Sequence, residues 1–178
     1  MSETKYGKII TFYSYKGGTG RTMALANVAC LLARNPSIRK GILMIDWDLE
    51  APGLHRFFYP KDDNNLGYIN SDFEELPGLI DLFFEFNTLK IAEPSMEIRF
   101  GEIVRALLTD QKTKPYIQKT SISKVFLMKA GKFDENYPAR VNSFRWDKLY
   151  EKYPWLFRVF AEELSKMFDY VLIDSRTG

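Results

Sequence analysis

The stretch that decides the fold is residues 15–22, which read Y-K-G-G-T-G-R-T. The glycines of this stretch leave the backbone free to curl, so that its N–H groups can converge on phosphate oxygens. The pattern approaches that of a phosphate-binding loop, G-x-x-x-x-G-K-S/T, with Tyr15 at the first glycine and Arg21 at the lysine. Thr22 places a hydroxyl where such loops hold Mg²⁺. The stretch therefore predicts a site for nucleotide phosphates.

The residues on either side of this loop predict a strand before it and a helix after it. Residues 8–14 read K-I-I-T-F-Y-S, a β-branched and aromatic run typical of a buried strand. Apolar residues then recur from Leu25 to Leu32 with helical spacing, and Asn35-Pro36 ends the pattern. A helix that begins near Thr22 directs the positive end of its dipole at the loop. Strand, loop and helix together form the context that a phosphate-binding loop requires.

Carboxylates follow two further predicted strands. Residues 41–45 lead into Asp46-Trp47-Asp48, and residues 170–173 lead into Asp174. Ligands of open α/β sheets bind in the crevice beyond the carboxyl ends of parallel strands. We therefore expect an α/β fold of three layers, with a mostly parallel central sheet, helices on both faces, and these carboxylates beside the loop.

Three segments of the chain resemble motifs of the ParA/MinD-type ATPases. Residues 16–22 resemble their deviant Walker A motif, K-G-G-x-G-K-S/T. Residues 42–50, I-L-M-I-D-W-D-L-E, resemble the strand and D-x-D segment of that family, and residues 168–178, F-D-Y-V-L-I-D-S-R-T-G, resemble its Walker B strand and second switch. The resemblance covers the first fifty residues and the last ten. The wording K-G-G-x-G-R is similar to a bacterial subgroup that is often fused to other modules in signalling or defence proteins.

The resemblance implies a role for each matching residue. Lys16 would reach across a nucleotide-sandwich dimer to the partner's phosphates, and Asp48 would help to place the attacking water. Asp46 would lie near the metal, and Asp174 would hold a metal-bound water. Gly178 would offer its N–H to the γ-phosphate. The predicted metal residues are Thr22, Asp46 and Asp174, and the predicted phosphate contacts, besides Gly178, are Gly17, Gly18, Thr19, Gly20, Arg21, Thr22 and Met23.

Arg21 is the main departure from the family pattern. Lysine in this loop acts as a compact point charge between the β- and γ-phosphates, whereas arginine presents a larger planar fork. A misplacement of about 1 Å can cost roughly 10²-fold in rate, so hydrolysis should suffer more than binding. We expect a Mg-ATP-dependent homodimer switch with slow hydrolysis. The alternative is a non-hydrolysing nucleotide sensor or scaffold module of a larger bacterial signalling or defence protein.

Composition agrees with this interpretation and excludes other classes. The 178 residues are 46% hydrophobic and 27% charged, as expected of one globular domain, and the net charge of +2 gives no nucleic-acid signature. No run is long enough to span a membrane. Cys30 is the only cysteine, which excludes a disulfide framework and favours the cytoplasm. His55 is the only histidine, which excludes a histidine metal cluster. We expect Cys30 to be a small core residue and His55 to have a surface or packing role.

The middle of the chain carries elements but little chemistry. We predict helices over residues 79–86, 98–108 and 155–168 and a strand over residues 125–128, with the aromatic residues of 83–86 in the core or a subunit interface. Residues 1–178 are expected to form one P-loop ATPase domain that stops within the second switch, as the front part of a longer protein with protein partners or fused domains. A short complete gene product is the alternative. The matching motifs do not encode base specificity. A GTPase has less support because no N-K-x-D-like segment is visible. A relation to bacterial tyrosine kinases stays open.

Overall fold

The computed structural model describes residues 6–58, 72–89, 96–110 and 115–176. Among these residues the strands are β1 (Lys8–Phe12), β2 (Ile42–Asp46), β3 (Gln118–Lys119), β4 (Val125–Met128) and β5 (Tyr170–Asp174). The α-helices are α1 (Arg21–Ala33), α2 (Asp72–Glu75), α3 (Leu79–Thr88), α4 (Met96–Thr109), α5 (Tyr137–Ser143), α6 (Trp146–Lys152) and α7 (Leu156–Met167). A 3₁₀ turn spans Leu54–Phe57.

The described strands form one sheet in the order β1-β5-β2-β4-β3. The first four strands in this order run parallel, and β3 pairs antiparallel with β4 at the edge. The register aligns Asp174 at the end of β5 with Phe12 at the end of β1 and with Asp46 at the end of β2. The carboxyl ends of these three strands therefore lie level with one another, at the edge of the sheet where open α/β folds bind ligands.

Helices cover both faces of the sheet, as the sequence predicts. Strand β2 is buried at every residue and alternates its side chains between two hydrophobic clusters. Leu43 and Ile45 pack in a cluster with residues of α3, α4 and α7. Ile42 and Met44 pack in the other cluster with residues of α1. The architecture is a three-layer α/β fold with a mostly parallel sheet.

The prediction that β1 is a buried strand is wrong for the described residues. Its residues are exposed or half-buried, and the side chains of Ile9 and Ile10 are each 39% exposed. The reason lies in the strand order, because β1 pairs with β5 on one side and has no partner strand among the described residues on the other. The β-branched run correctly predicted a strand, but it could not specify an edge position.

The strong helical patterns give helices close to their predicted bounds, and α3 holds the predicted aromatic core. Phe83 and Phe86 are fully buried and pack edge to face, with ring centroids 5.6 Å apart. His55 has the expected packing role, against the ring of Phe133 at 4.8 Å. No helix in the described part of the chain is long and apolar enough to cross a bilayer. The sequence prediction missed α2, α5, α6, β3 and the 3₁₀ turn.

Candidate functional site

The glycine loop connects β1 to α1 at the carboxyl edge of the sheet. Gly18 and Gly20 have φ angles of 72° and 80°, in the left-handed region that costs residues with a Cβ roughly 1–2 kcal/mol. The carbonyl of Gly20 accepts the N–H of Ala24 at 2.8 Å, and α1 begins from this bond. The N-terminus of α1, with its unpaired N–H groups and partial positive charge, therefore faces the loop.

A cavity of about 640 Å³ lies over this loop. Its volume falls in the range of roughly 300–1,000 Å³ that is typical of small-molecule sites. The walls combine the loop with residues that follow β2 and β5. The lining residues are Ser14, Lys16, Gly17, Gly18, Thr19, Gly20, Arg21, Thr22, Met23, Asp48, Glu50, Ala51, Phe57 and Arg176. The predicted phosphate-contacting residues 17–23 thus all line one cavity.

The three predicted carboxylates lie on the same side of the sheet as α1 because of the two-residue period of a strand. Met44 in β2 and Leu172 in β5 belong to the cluster that packs on α1. Two residues further along the chain, Asp46 and Asp174 return to the same face of the sheet. Asp48 follows two residues after Asp46 and joins the cavity wall. The sheet therefore directs all three carboxylates toward the layer in which α1 begins.

Arg21 joins the ends of three strands. Its Nε donates to Asp174 Oδ1 at 2.5 Å, and its Nη2 donates to Asp48 Oδ2 at 2.7 Å. Its Nη1 donates to the hydroxyl of Ser14, just beyond β1, at 3.3 Å. All three guanidinium nitrogens therefore bind groups at or just beyond the carboxyl ends of β5, β2 and β1. Arg21, the first residue of α1, thereby links the glycine loop to the D-x-D segment and to the strand that ends at Asp174.

These ion pairs are shielded from water. The side chain of Arg21 is 8% exposed, that of Asp48 is 14% exposed and that of Asp174 is 1% exposed. Burial acts to lower the pKa of Arg21, but the hydrogen bonds and charges of Asp174 and Asp48 outweigh it and raise the pKa above its ordinary value. The guanidinium is therefore a permanent positive charge between two carboxylates.

Asp46 is fully buried and has a different role in the structure. Its Oδ2 accepts the N–H groups of Gly53 and Leu54, each at 3.1 Å, and so caps the 3₁₀ turn. Its Oδ1 has no hydrogen-bond partner among the described residues. Burial raises the pKa of Asp46 to about 7, and the charges of Asp174 and Asp48 act in the same direction against those two hydrogen bonds. The cap uses one oxygen and leaves the other without a partner.

The donor set fits magnesium in part. Mg²⁺ prefers hard oxygen ligands such as carboxylates. The site offers the unpartnered buried oxygen of Asp46, together with the carboxylates of Asp48 and Asp174, which bind the guanidinium of Arg21. Within the described ranges, however, no three histidine, cysteine or carboxylate side chains converge into a complete metal cage. Mg²⁺ is usually held by one or two carboxylates together with substrate phosphates, so this incomplete set is compatible with a metal that binds alongside a nucleotide.

The remaining predicted residues have varied positions. Lys16 is exposed on the loop, its carbonyl accepts the hydroxyl of Ser14 at 3.0 Å, and it lines the cavity. Thr22 is half-buried in the first turn of α1 and also lines the cavity. Gly178, the predicted γ-phosphate contact, lies outside the described residues.

Three contributors to the site were missed by sequence reasoning. The Ser14 hydroxyl binds Arg21, and its only signal was its place at the end of a strand. Trp47, between the two acidic residues of the D-x-D segment, packs against Phe83 with ring centroids 5.4 Å apart, which anchors the segment in the opposite layer. Arg176 lines the cavity and forms an exposed ion pair of 2.7 Å with Glu50, and no sequence motif pointed to this arginine.

Solved structures with this fold include nucleotide-binding ATPases. The chain is similar to an ATP complex of a variant McdA from Cyanothece (18% identity, TM-score 0.57) and to a ParA-family ATPase from Chlorobium tepidum (16% identity, TM-score 0.53). It is also similar to the septum site-determining protein MinD from Pyrococcus horikoshii in complex with Mg-ADP (21% identity, TM-score 0.50). These alignments cover 98%, 98% and 97% of this chain and 50%, 52% and 50% of the other chains, respectively.

The comparisons support the fold. At identities of this size, the likeness shows that the chain shares the α/β fold of these solved structures. The chain spans about half the length of the solved structures that it matches. No protein-family model matches the chain, and no curated protein matches it.

Proposed function

We propose that this chain is the nucleotide-binding part of a ParA/MinD-like ATPase that acts as a Mg-ATP-dependent dimerisation switch with slow hydrolysis. One observation carries the proposal: Arg21 of the glycine loop binds Asp48 and Asp174 from two neighbouring strand ends, beside a cavity of about 640 Å³. Phosphate-binding amides, a cation and carboxylates are thereby gathered at the ligand-binding edge of an α/β sheet. The fold shared with McdA, ParA and MinD structures supports the same conclusion.

Each group of residues has a part in the proposed site. The backbone of residues 17–23 and the N-terminus of α1 bind the phosphates. Thr22, Asp46 and Asp174 hold magnesium together with phosphate oxygens, and Asp48 orients the attacking water. Magnesium, when bound, neutralises charge on the phosphates during transfer of the γ-phosphoryl group.

Slow hydrolysis follows from the shape and the partners of Arg21. Phosphoryl transfer depends on charge held where the transition state develops it. Arg21 is bound to Asp48 and Asp174, the two residues to which the proposal assigns the water and the metal. A guanidinium that is shared between these carboxylates and a phosphate is less well placed than a lysine ammonium directed at the phosphates alone.

The dimer is proposed from the exposure of the loop. Lys16 is exposed at the mouth of the cavity, where a long cationic side chain can reach the phosphates of a facing subunit. Two such protomers would close over their nucleotides and separate after hydrolysis, so that fused or partner modules detect the nucleotide state. A cytoplasmic location, where ATP is available, belongs to this proposal.

A second candidate is a nucleotide sensor or scaffold that does not hydrolyse. The Arg21 ion pairs favour it, because they neutralise Asp48 before any ligand arrives. Stable binding without turnover would then be the working state of the protein.

Calorimetric titration with Mg-ATP and a phosphate-release assay test the proposal. We expect binding of Mg-ATP, slow turnover in the wild type, and turnover at least about tenfold faster in Arg21→Lys, because the lysine places its charge on the phosphates. Arg145→Lys is the matched control, since Arg145 pairs with Asp147 on the exposed surface at the start of α6. It should change neither measurement.

Different outcomes separate the candidates. Absence of Mg-ATP binding in both the wild type and Arg21→Lys would refute the nucleotide site. Binding without turnover in both proteins would establish the sensor. Loss of turnover in Arg21→Lys would show that the arginine is itself a catalytic residue.

A further inference from the structure

The side chain of Arg21 serves two regions at once. It lines the cavity, and it also binds Asp48 and Asp174 beside it. Both carboxylates are largely shielded from water, so each depends on the guanidinium for charge balance. Arg21 therefore places a positive charge beside Asp174, which the proposed site assigns to magnesium, and beside Asp48, which it assigns to the attacking water.

A guanidinium and a metal ion cannot both satisfy the same carboxylate oxygens. Asp174 Oδ1 and Asp48 Oδ2 are the atoms that accept from Arg21. A divalent cation placed among these atoms would also be repelled by the adjacent guanidinium, in surroundings where charges are poorly screened. With its guanidinium in this position, Arg21 therefore opposes the binding of a divalent cation at these oxygens.

Phosphate is the alternative partner that can take up this guanidinium. Arginine binds carboxylates and phosphates with the same fork of N–H donors. Arg21 already lines the cavity over the glycine loop, so a phosphate bound there would lie close to this residue. A triphosphate also carries more charge than either carboxylate.

We infer that Arg21 is a built-in cation that keeps divalent metal away from Asp174 and the adjacent Asp48 until a phosphate group in the cavity takes up its guanidinium. The inference rests on the proposed nucleotide site and adds an order of events to it. Arg21 releases the carboxylates when phosphate binds, so metal and nucleotide are bound together and metal alone is excluded. When the phosphates leave, Arg21 returns to the carboxylates and the metal site closes.

Manganese binding without nucleotide is the direct test. The free Mn²⁺ signal in electron paramagnetic resonance is measured against wild type, Arg21→Gln and Arg145→Gln. Glutamine removes the charge and keeps a hydrogen-bond donor for the carboxylates. Arg145→Gln is the matched control, because Arg145 donates two hydrogen bonds to Asp147, of 2.9 and 2.6 Å, away from the cavity lining.

We expect Arg21→Gln to bind Mn²⁺ at least about tenfold more tightly than the wild type, and Arg145→Gln to behave as the wild type does. Equal Mn²⁺ binding by wild type and Arg21→Gln would overturn the inference. So would an equal gain in Arg145→Gln, because any released carboxylate would then explain the effect.

A second measurement needs no destabilised variant. The Nε–H resonance of Arg21 in ¹⁵N-labelled wild type, assigned by its absence from Arg21→Lys, reports the bond to Asp174. We expect Mg²⁺ alone to leave this resonance unchanged, and Mg²⁺ with ATP to shift it. A shift on Mg²⁺ alone would overturn the inference.

The tests separate this inference from the proposed function. If calorimetry detects no Mg-ATP binding, the proposed function fails, and Mn²⁺ capture by Arg21→Gln still establishes Arg21 as the blocking cation. If wild type binds Mg-ATP and also binds Mn²⁺ as tightly as Arg21→Gln does, the proposed function stands and the blocking role is refuted.

Discussion

Replacement of Asp46 by asparagine should make the protein less sensitive to rising pH. Asparagine has nearly the same shape as aspartate, and its amide oxygen can accept the N–H groups of Gly53 and Leu54 that Asp46 Oδ2 now accepts. The substitution therefore keeps the cap of the 3₁₀ turn. It removes the charge from a side chain that is fully buried.

The direction and size of this change in stability follow from the pKa of Asp46, which burial raises from 3.8 to about 7. Between these two values the native protein holds a proton that the unfolded chain has lost, so stability falls as the pH rises. From about pH 5 to about pH 8 the loss amounts to about 2.5 kcal/mol in the free energy of unfolding, at about 1.4 kcal/mol for each unit of pH over which native Asp46 stays protonated. Asparagine does not titrate and avoids this loss.

Urea unfolding of the nucleotide-free protein at about pH 5 and about pH 8 measures the effect. The stability difference between Asp46→Asn and wild type should move in favour of the variant by about 2.5 kcal/mol across this interval. Asp147→Asn is the control, because the hydrogen bond from Arg145 lowers the pKa of Asp147 to about 2, below the interval. If the difference in free energy of unfolding between Asp46→Asn and wild type stays constant over this pH interval, the raised pKa of the buried Asp46 is refuted.

Two further predictions concern other parts of the molecule. Burial lowers the pKa of Lys129 from 10.5 to about 8, so between these values the unfolded chain holds a proton that the native protein lacks. From about pH 7.5 to about pH 10, the wild type should therefore gain about 2 kcal/mol in the free energy of unfolding relative to Lys129→Met. Urea unfolding that shows no such trend would contradict this prediction. A Cβ on Gly17 would meet no atom within 4 Å, whereas Gly20 has a φ of 80°. Gly17→Ala should therefore keep or slightly raise stability while it weakens ATP binding in calorimetry. Gly20→Ala should cost about 1–2 kcal/mol of stability. Equal destabilisation by the two variants would contradict the loop geometry.

Much of the fold could be predicted because local pattern and tertiary structure agree. Continuous apolar runs marked β2, β4 and β5, since a parallel strand covered on both faces needs no polar alternation. The regular spacing of Leu156, Phe160 and Leu164 marked α7 for the same reason: one face of the helix packs into the core. Acidic residues directly after two such strands placed the carboxylates at the correct edge of the sheet.

Other features depend on contacts that a linear pattern does not contain. Strand β3 has two residues and exists only because β4 is beside it, so no periodicity announces it. Strand β1 has the composition of a buried strand but lies at the edge of the described sheet. The bond from Arg21 to Asp174 joins residues 153 positions apart, and the sequence pattern instead suggested that Arg21 faces phosphate alone.

Asp46 and Arg21 together show how the resting site balances its charges. Arg21 donates one hydrogen bond from each of its nitrogens, to Asp174, Ser14 and Asp48, and in the described part of the chain none of these bonds goes to Asp46. Asp46 is therefore left with two backbone N–H groups, one unpartnered oxygen and a pKa of about 7. Arg21 carries one positive charge, whereas Asp46, Asp48 and Asp174 together can carry three negative charges, so the arginine alone does not balance these three carboxylates. Burial is the main cause of the raised pKa of Asp46, and the charges of Asp174 and Asp48 add to it. A cation bound beside Asp46 would act in the opposite direction and lower this pKa.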